Sequence, residues 1–189
     1  MGQKFHSKNL KNDQIFERTV LKSLENAEHL LEAGKPAKTL ECLKEIIKFN
    51  PLEKQSPENA SHIYGLLGTS QVELGQLNEA LTNHKRELKI AEEHDLKVER
   101  SRALDNIGRV YARLGKFENA IEAWNIKLPI ADTALEKAWL HHELGRCHFE
   151  LGRTEQAIKH GGDSFRNAEE AGDSTWQINA KVLQESREF

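Results

Sequence analysis

The chain has 189 residues, 38% hydrophobic and 30% charged, with 27 Lys+Arg against 30 Asp+Glu and a net charge of −3. That balance lacks the basic excess that draws nucleic acid or an anionic membrane, and no apolar run approaches the roughly 20 residues of a membrane span. Cys42 and Cys147 are too few for a disulfide framework and are expected as reduced thiols of an intracellular protein.

In chain order, residues 1–12 are polar and are expected to form a disordered N-terminal tail. Met1-Gly2 opens a myristoylation-like string, but Ser7 falls one place late for it. From residue 13 to 189 the pattern reads as one helical repeat array. Residues 13–50 form a degenerate first pair, with Ala27 in a small slot, Gly34 at the turn, and Leu40, Leu43 and Ile47 on the second helix. Pro51 and Pro57 then break the chain, so residues 50–58 read as a loop. Three regular repeats follow at 58–94, 98–132 and 135–171. They carry Gly68-x6-Gly75-x4-Ala80, Gly108-x6-Gly115-x4-Ala120 and Gly145-x6-Gly152-x4-Ala157. Asp173-Ser174 then caps an unpaired last helix, 174–188, whose apolar residues are Trp176, Ile178, Ala180, Val182 and Leu183. The missing partner helix reads as an array cut from a longer one.

Glycine costs a helix interior about 1 kcal/mol relative to alanine, so a glycine repeated in register has a reason. Gly75, Gly115 and Gly152 follow a leucine and precede a new amphipathic helix, the place of a left-handed C-terminal turn. Gly68, Gly108 and Gly145 lie inside the first helices and are expected to let a neighbouring helix approach closely, facing Ala80, Ala120 and Ala157. Pro129 falls inside the second helix of the central repeat and should kink it. His160-Gly161-Gly162 should loosen the corresponding helix of the third.

Paired helices with this Gly-Gly-Ala ladder resemble the tetratricopeptide repeat over roughly residues 22–189. The resemblance implies an all-α helix-pair solenoid coiled as a right-handed superhelix. The repeats are long, 37–41 residues against the usual 34 or so, and Glu87, Lys127 and Ser164 replace a small residue of the motif. Within that class, Ser101-Arg102-Ala103-Leu104-Asp105-Asn106-Ile107-Gly108-Arg109-Val110-Tyr111-Ala112-Arg113, Leu135-Glu136-Lys137-Ala138-Trp139, Gly145-Arg146-Cys147 and Trp176-Gln177-Ile178-Asn179-Ala180 resemble the tetratricopeptide repeat protein 25 family of the outer dynein arm docking complex. This family resemblance implies a non-enzymatic scaffold of cytoplasm and cytoskeleton, in the axoneme of motile cilia. Its expected partners are coiled-coil and armadillo-repeat docking-complex subunits, outer-arm dynein and the doublet microtubule; nucleic acid and membrane are not expected. Two alternatives share features with it. The 40-residue style also fits cortical cell-polarity or spindle-orientation adaptors. A co-chaperone adaptor would need a lysine–asparagine carboxylate clamp, of which only Asn106 is present.

First helices of such a solenoid line an extended groove. Positions −6, −3, −2, +1, +4 and +5 from the internal glycine share one helical face. In the central repeat this face carries Arg102, Asp105, Asn106, Arg109, Ala112 and Arg113; in the next it carries Trp139, His142, Glu143, Arg146, Phe149 and Glu150. Residues 97–116 hold six Lys/Arg and two Asp/Glu, and arginine's planar fork suits carboxylates. Arg102, Asp105, Asn106, Arg109, Arg113, Trp139, His142, Arg146 and Phe149 are therefore the expected partner-binding groove. Neither an enzyme nor a cofactor is expected, since no Gly-x-x-x-x-Gly-Lys-Ser/Thr or Gly-x-Ser-x-Gly string occurs. Nor is a metal: His141 and His142 are adjacent and point about 100° apart on a helix, while His141 and His148, like a half-buried His84, read as packing.

Overall fold

The computed structural model describes residues 18–185; the expected tail at 1–12 lies outside them. Among the described residues the chain is helical without strands, and no helix is long and apolar enough to cross a membrane. It divides into two compact units, Met1–Leu96 and Lys97–Phe189.

The first unit holds α1 (18–32), α2 (Pro36–Phe49), α3 (Pro57–Glu73) and α4 (Leu77–Glu93). Between Pro51 and Pro57 the chain makes only a short 3₁₀ turn, Leu52–Lys54, because neither proline offers an amide to a continuing helix. Ser56 restarts it: its side chain accepts from the Asn59 amide while Pro57 takes the first helical position. The core gathers Val20, Leu24 and Ala27 of α1, Leu43 and Ile46 of α2, and Ile63 and Leu66 of α3.

The second unit holds α5 (Lys97–Arg113), α6 (Phe117–Lys127), α7 (Ala134–Glu150), α8 (Thr154–Glu170) and α9 (Ser174–Glu185). Its core centres on Trp124, with Ala120, Ile121, Leu140, Leu144 and Cys147. Asp173 accepts from the Trp176 amide, the cap expected at the head of α9. Pro129 ends α6 outright where the sequence leads one to expect a kink: the helix stops at Lys127 and a 3₁₀ turn, Leu128–Ile130, replaces its last turns. The expected looseness at His160-Gly161-Gly162 is also corrected. All three lie inside a continuous α8, where tertiary packing overrides the glycine penalty.

Gly75, Gly115 and Gly152 have φ of +74°, +69° and +69°, joined by Gly34 at +67° and Gly172 at +69°. At Gly75 the following amide, Gln76 N–H, returns to Gln71 C=O at 2.8 Å, closing the helix end with a Schellman-type bond. The internal glycines do admit a close neighbour. At Gly145 this includes the expected alanine, whose Ala157 carbonyl would stand 3.2 Å from a Cβ, but at Gly68 and Gly108 it is a ring. A Cβ on Gly68 would stand 2.5 Å from the His84 ring, and one on Gly108 would strike the indole of Trp124. These rings lie four residues beyond Ala80 and Ala120, so one helical turn carries them over the glycine. His84 is accordingly buried, at 1% exposure, and not half-buried. In the third pair the ring column is empty, because its residue is Gly161. Leu183 of α9 takes the place against Gly145 instead.

The three residues that depart from the small-residue pattern become polar ties. Lys127 Nζ donates to Ser101 C=O at 3.3 Å and meets Glu136 at 2.8 Å. Ser164 Oγ donates to Ala138 C=O at 2.8 Å. Glu87 stands 3.0 Å from His84, both fully buried.

Candidate functional site

All nine expected groove residues fall in the second unit, on α5 and α7. The best-defined contact joins the two helices: the Arg109 guanidinium lies 4.2 Å over the Trp139 ring. Trp139 meets Trp124 edge-on beneath, with centroids 5.7 Å apart. A buried indole thus holds a half-buried indole, which carries an exposed cation. Arg109 Nε also donates to Asp105 Oδ2 at 3.2 Å, one helical turn back. Arg102 and Asn106 are half-buried on the same helix, and Arg113 is exposed at its end.

Further along α7, His142 meets Trp176 of α9 edge-on at 5.3 Å, and burial pushes its pKa down. Arg146 donates to both carboxylate oxygens of Glu143 at 3.1 Å. Phe149 is 42% exposed at the end of the helix. The groove residues therefore form two clusters, Asp105–Arg109–Trp139 and His142–Trp176 beside Glu143–Arg146. Arg109 and Arg146 each share their charge with a carboxylate of their own helix, so the local basic excess read from residues 97–116 overstates the field of this face.

A different side of α7 carries a second constellation. His141 Nδ1 and His160 Nδ1 of α8 stand 3.0 Å apart. His148 stacks on His160 with centroids 5.2 Å apart and planes 10° from parallel. Asp163 lies one turn beyond His160 and pairs with Arg166. Burial lowers the pKa of His141 and His148, and burial together with the neighbouring imidazoles lowers His160 to about 4. Sequence spacing pairs His141 with His148 but not with His160, because the glycines after His160 suggest a break in α8. Cys147, next to this group in sequence, points into the core, and burial pushes its thiol up to about 12.

These helix pairs match the family model described as tetratricopeptide repeat over residues 59–125 and 99–170. The chain belongs to the tetratricopeptide repeat family. Solved tetratricopeptide-like folds agree: the crystal structure of BtubC from P. vanneervenii superposes with a TM-score of 0.74 over 94% of this chain and 76% of that one, at 20% identity. A structure of MamA gives 0.67 over 88% and 86%, again at 20% identity. Among curated proteins, outer dynein arm-docking complex subunit 4 of Mus musculus is 47% identical over 169 residues, 87% of this chain and 27% of that protein. The Homo sapiens protein of the same name is 47% identical over 87% of this chain and 25% of its own length, and the Danio rerio protein 42% over 91% and 36%. The tetratricopeptide array thus spans about a quarter to a third of the curated relatives it matches. Their designation is subunit 4, where the sequence resemblance points to tetratricopeptide repeat protein 25.

Proposed function

We propose that this tetratricopeptide array is a non-catalytic protein-binding part of an outer dynein arm docking complex. The observation that carries the reading is its 47% identity over 169 residues to proteins named as subunit 4 of that complex. The implied setting is the ciliary axoneme, and the implied partners are coiled-coil and armadillo-repeat docking subunits, outer-arm dynein and the doublet microtubule. The binding face is the one built by α5 and α7. Its Trp139 supplies a rigid apolar platform, and Arg109, fixed over that platform, offers its fork to a carboxylate of an acidic or helical partner segment. Arg102, Asn106, Arg113, Arg146 and Phe149 extend the face on either side. Two tests bear on this. The tagged protein in ciliated cells should decorate motile axonemes, whereas signal at the mitotic cortex would favour a polarity adaptor. A purified docking subunit that binds the wild-type chain should lose binding to Arg109→Glu plus Arg146→Glu; unchanged binding would remove this face from the reading.

A further inference from the structure

The histidine constellation between α7 and α8 lies on elements of one unit and takes no part in the face described above. We propose that His141, His160 and Asp163 form a binding site for a divalent transition-metal ion of the zinc class, clamping α7 to α8. One ligand atom from each of these residues lies within 4.8 Å of the others. Two nitrogens bound to one zinc at 2.0–2.1 Å stand roughly 3.3 Å apart at a tetrahedral angle. The Nδ1 atoms of His141 and His160, at 3.0 Å, need to part by only a few tenths of an ångström. They come from different helices, 19 residues apart in the chain, and α8 adds the carboxylate one turn later. Helical spacing of three residues is what places His160 and Asp163 on a common side.

The surroundings favour ligation. His148, stacked on His160 at 5.2 Å, fixes the plane of that ring. Its own Nδ1 is buried without a hydrogen-bond partner among the described residues, so a third imidazole stands beside the set. Asp163 already pairs with Arg166, but the Arg166 side chain is 70% exposed and free to swing into water. Two imidazoles and one carboxylate suit zinc and its neighbours, while calcium and magnesium prefer an all-oxygen shell. Three protein ligands leave a position for water, which makes the site a clip that remains open to solvent.

The test uses the whole chain after chelator treatment, titrated with Zn²⁺ by calorimetry and with Co²⁺ by visible absorption. One equivalent should bind with a Kd below about 10 µM, and saturating Zn²⁺ should raise the unfolding temperature. His141→Ala, His160→Ala and Asp163→Asn should each weaken Zn²⁺ by at least 10–100-fold, the loss found when even an outer-sphere partner is removed. His94→Ala, on the first unit, should bind as the wild type does. Helical circular dichroism verifies that each variant is folded, and the conservative Asp163→Asn keeps the test open should an alanine variant unfold. No saturable binding by the wild type, or binding unchanged in all three variants, overturns the site and leaves a histidine–histidine hydrogen bond.

Discussion

At the scale of single residues, glycines decide which side chain fits where. Gly108 sits under the fully buried Trp124, and a methyl there would meet the indole at a distance real Cβ atoms do not adopt. Trp124 is enclosed by the core of its unit and has little freedom to retreat. Gly108→Ala should therefore cost about 1–3 kcal/mol by overpacking, seen as a lowered unfolding midpoint. Trp124→Phe should also destabilise, but the double variant should lose less than the two singles together, since the smaller ring vacates the contested space. That three internal glycines admit close neighbours is legible in the sequence, because they recur in register. What they face is not. At Gly68 and Gly108 glycine and ring lie on different helices, and only the crossing shows that the partner is four residues past the alanine. Cysteine reactivity belongs to this scale too. Cys147 is 2% exposed, with its thiol pushed up to about 12, whereas Cys42 is half-buried. At pH 8 an alkylating reagent should label Cys42 in the native protein and Cys147 only once denaturant is added.

At the scale of elements, the helices follow from periodicity and caps, but the ties between them do not. Proline at 129 signals a disturbance legibly. Whether the helix bends or ends depends on what receives the chain afterwards. Here Thr133 caps α7, accepting from the Glu136 amide, and Glu136 accepts in turn from the Asp132 amide at 3.1 Å, so a fresh helix begins at once. Glu136 also receives Lys127, a residue only 5% exposed whose ammonium depends on that partner. Burial acts to raise the Glu136 pKa, but the hydrogen bonds from Lys127 and Asp132 and the ammonium charge outweigh it, leaving the pKa below its ordinary 4.5. A carboxylate with a depressed folded pKa adds stability that is present above the unfolded value and lost as pH falls through the folded one. Glu136→Gln should thus cost about 1–2 kcal/mol at pH 7, less than for a fully buried pair because water reaches Glu136. The difference between the two proteins in urea unfolding should shrink as pH falls below 4.5.

Across the whole molecule, repeat geometry explains why the last repeat differs and frames the proposed binding face. Two pairs seat a ring, His84 or Trp124, over the internal glycine, and the third offers Gly161 and lets Leu183 of α9 in. Sequence columns reveal the substitution at Gly161 but not its beneficiary, which lies 22 residues on. The proposed groove shows the same division. Its positions follow from helical spacing alone, whereas its charge state rests on Asp105 and Glu143, whose pairing with Arg109 and Arg146 a count of basic residues misses. This pairing fixes what a partner would feel. A self-neutralised face steers weakly, so affinity for the docking partner should fall only modestly between low and high salt. Its anchor is then the platform and not the net charge. Trp139→Ala removes the ring that carries Arg109 and should weaken binding by about 2 kcal/mol or more, as buried aromatic anchors do. Arg109→Ala should cost less, since Trp139 and Trp124 remain in place. Arg109→Glu should cost more than Arg109→Ala, because it sets a second carboxylate beside Asp105 and opposes an acidic segment. Calorimetry of the three variants at two salt concentrations separates the cases: a steep salt slope, or Arg109→Ala worse than Trp139→Ala, would assign recognition to the field of the face and not to its aromatic floor.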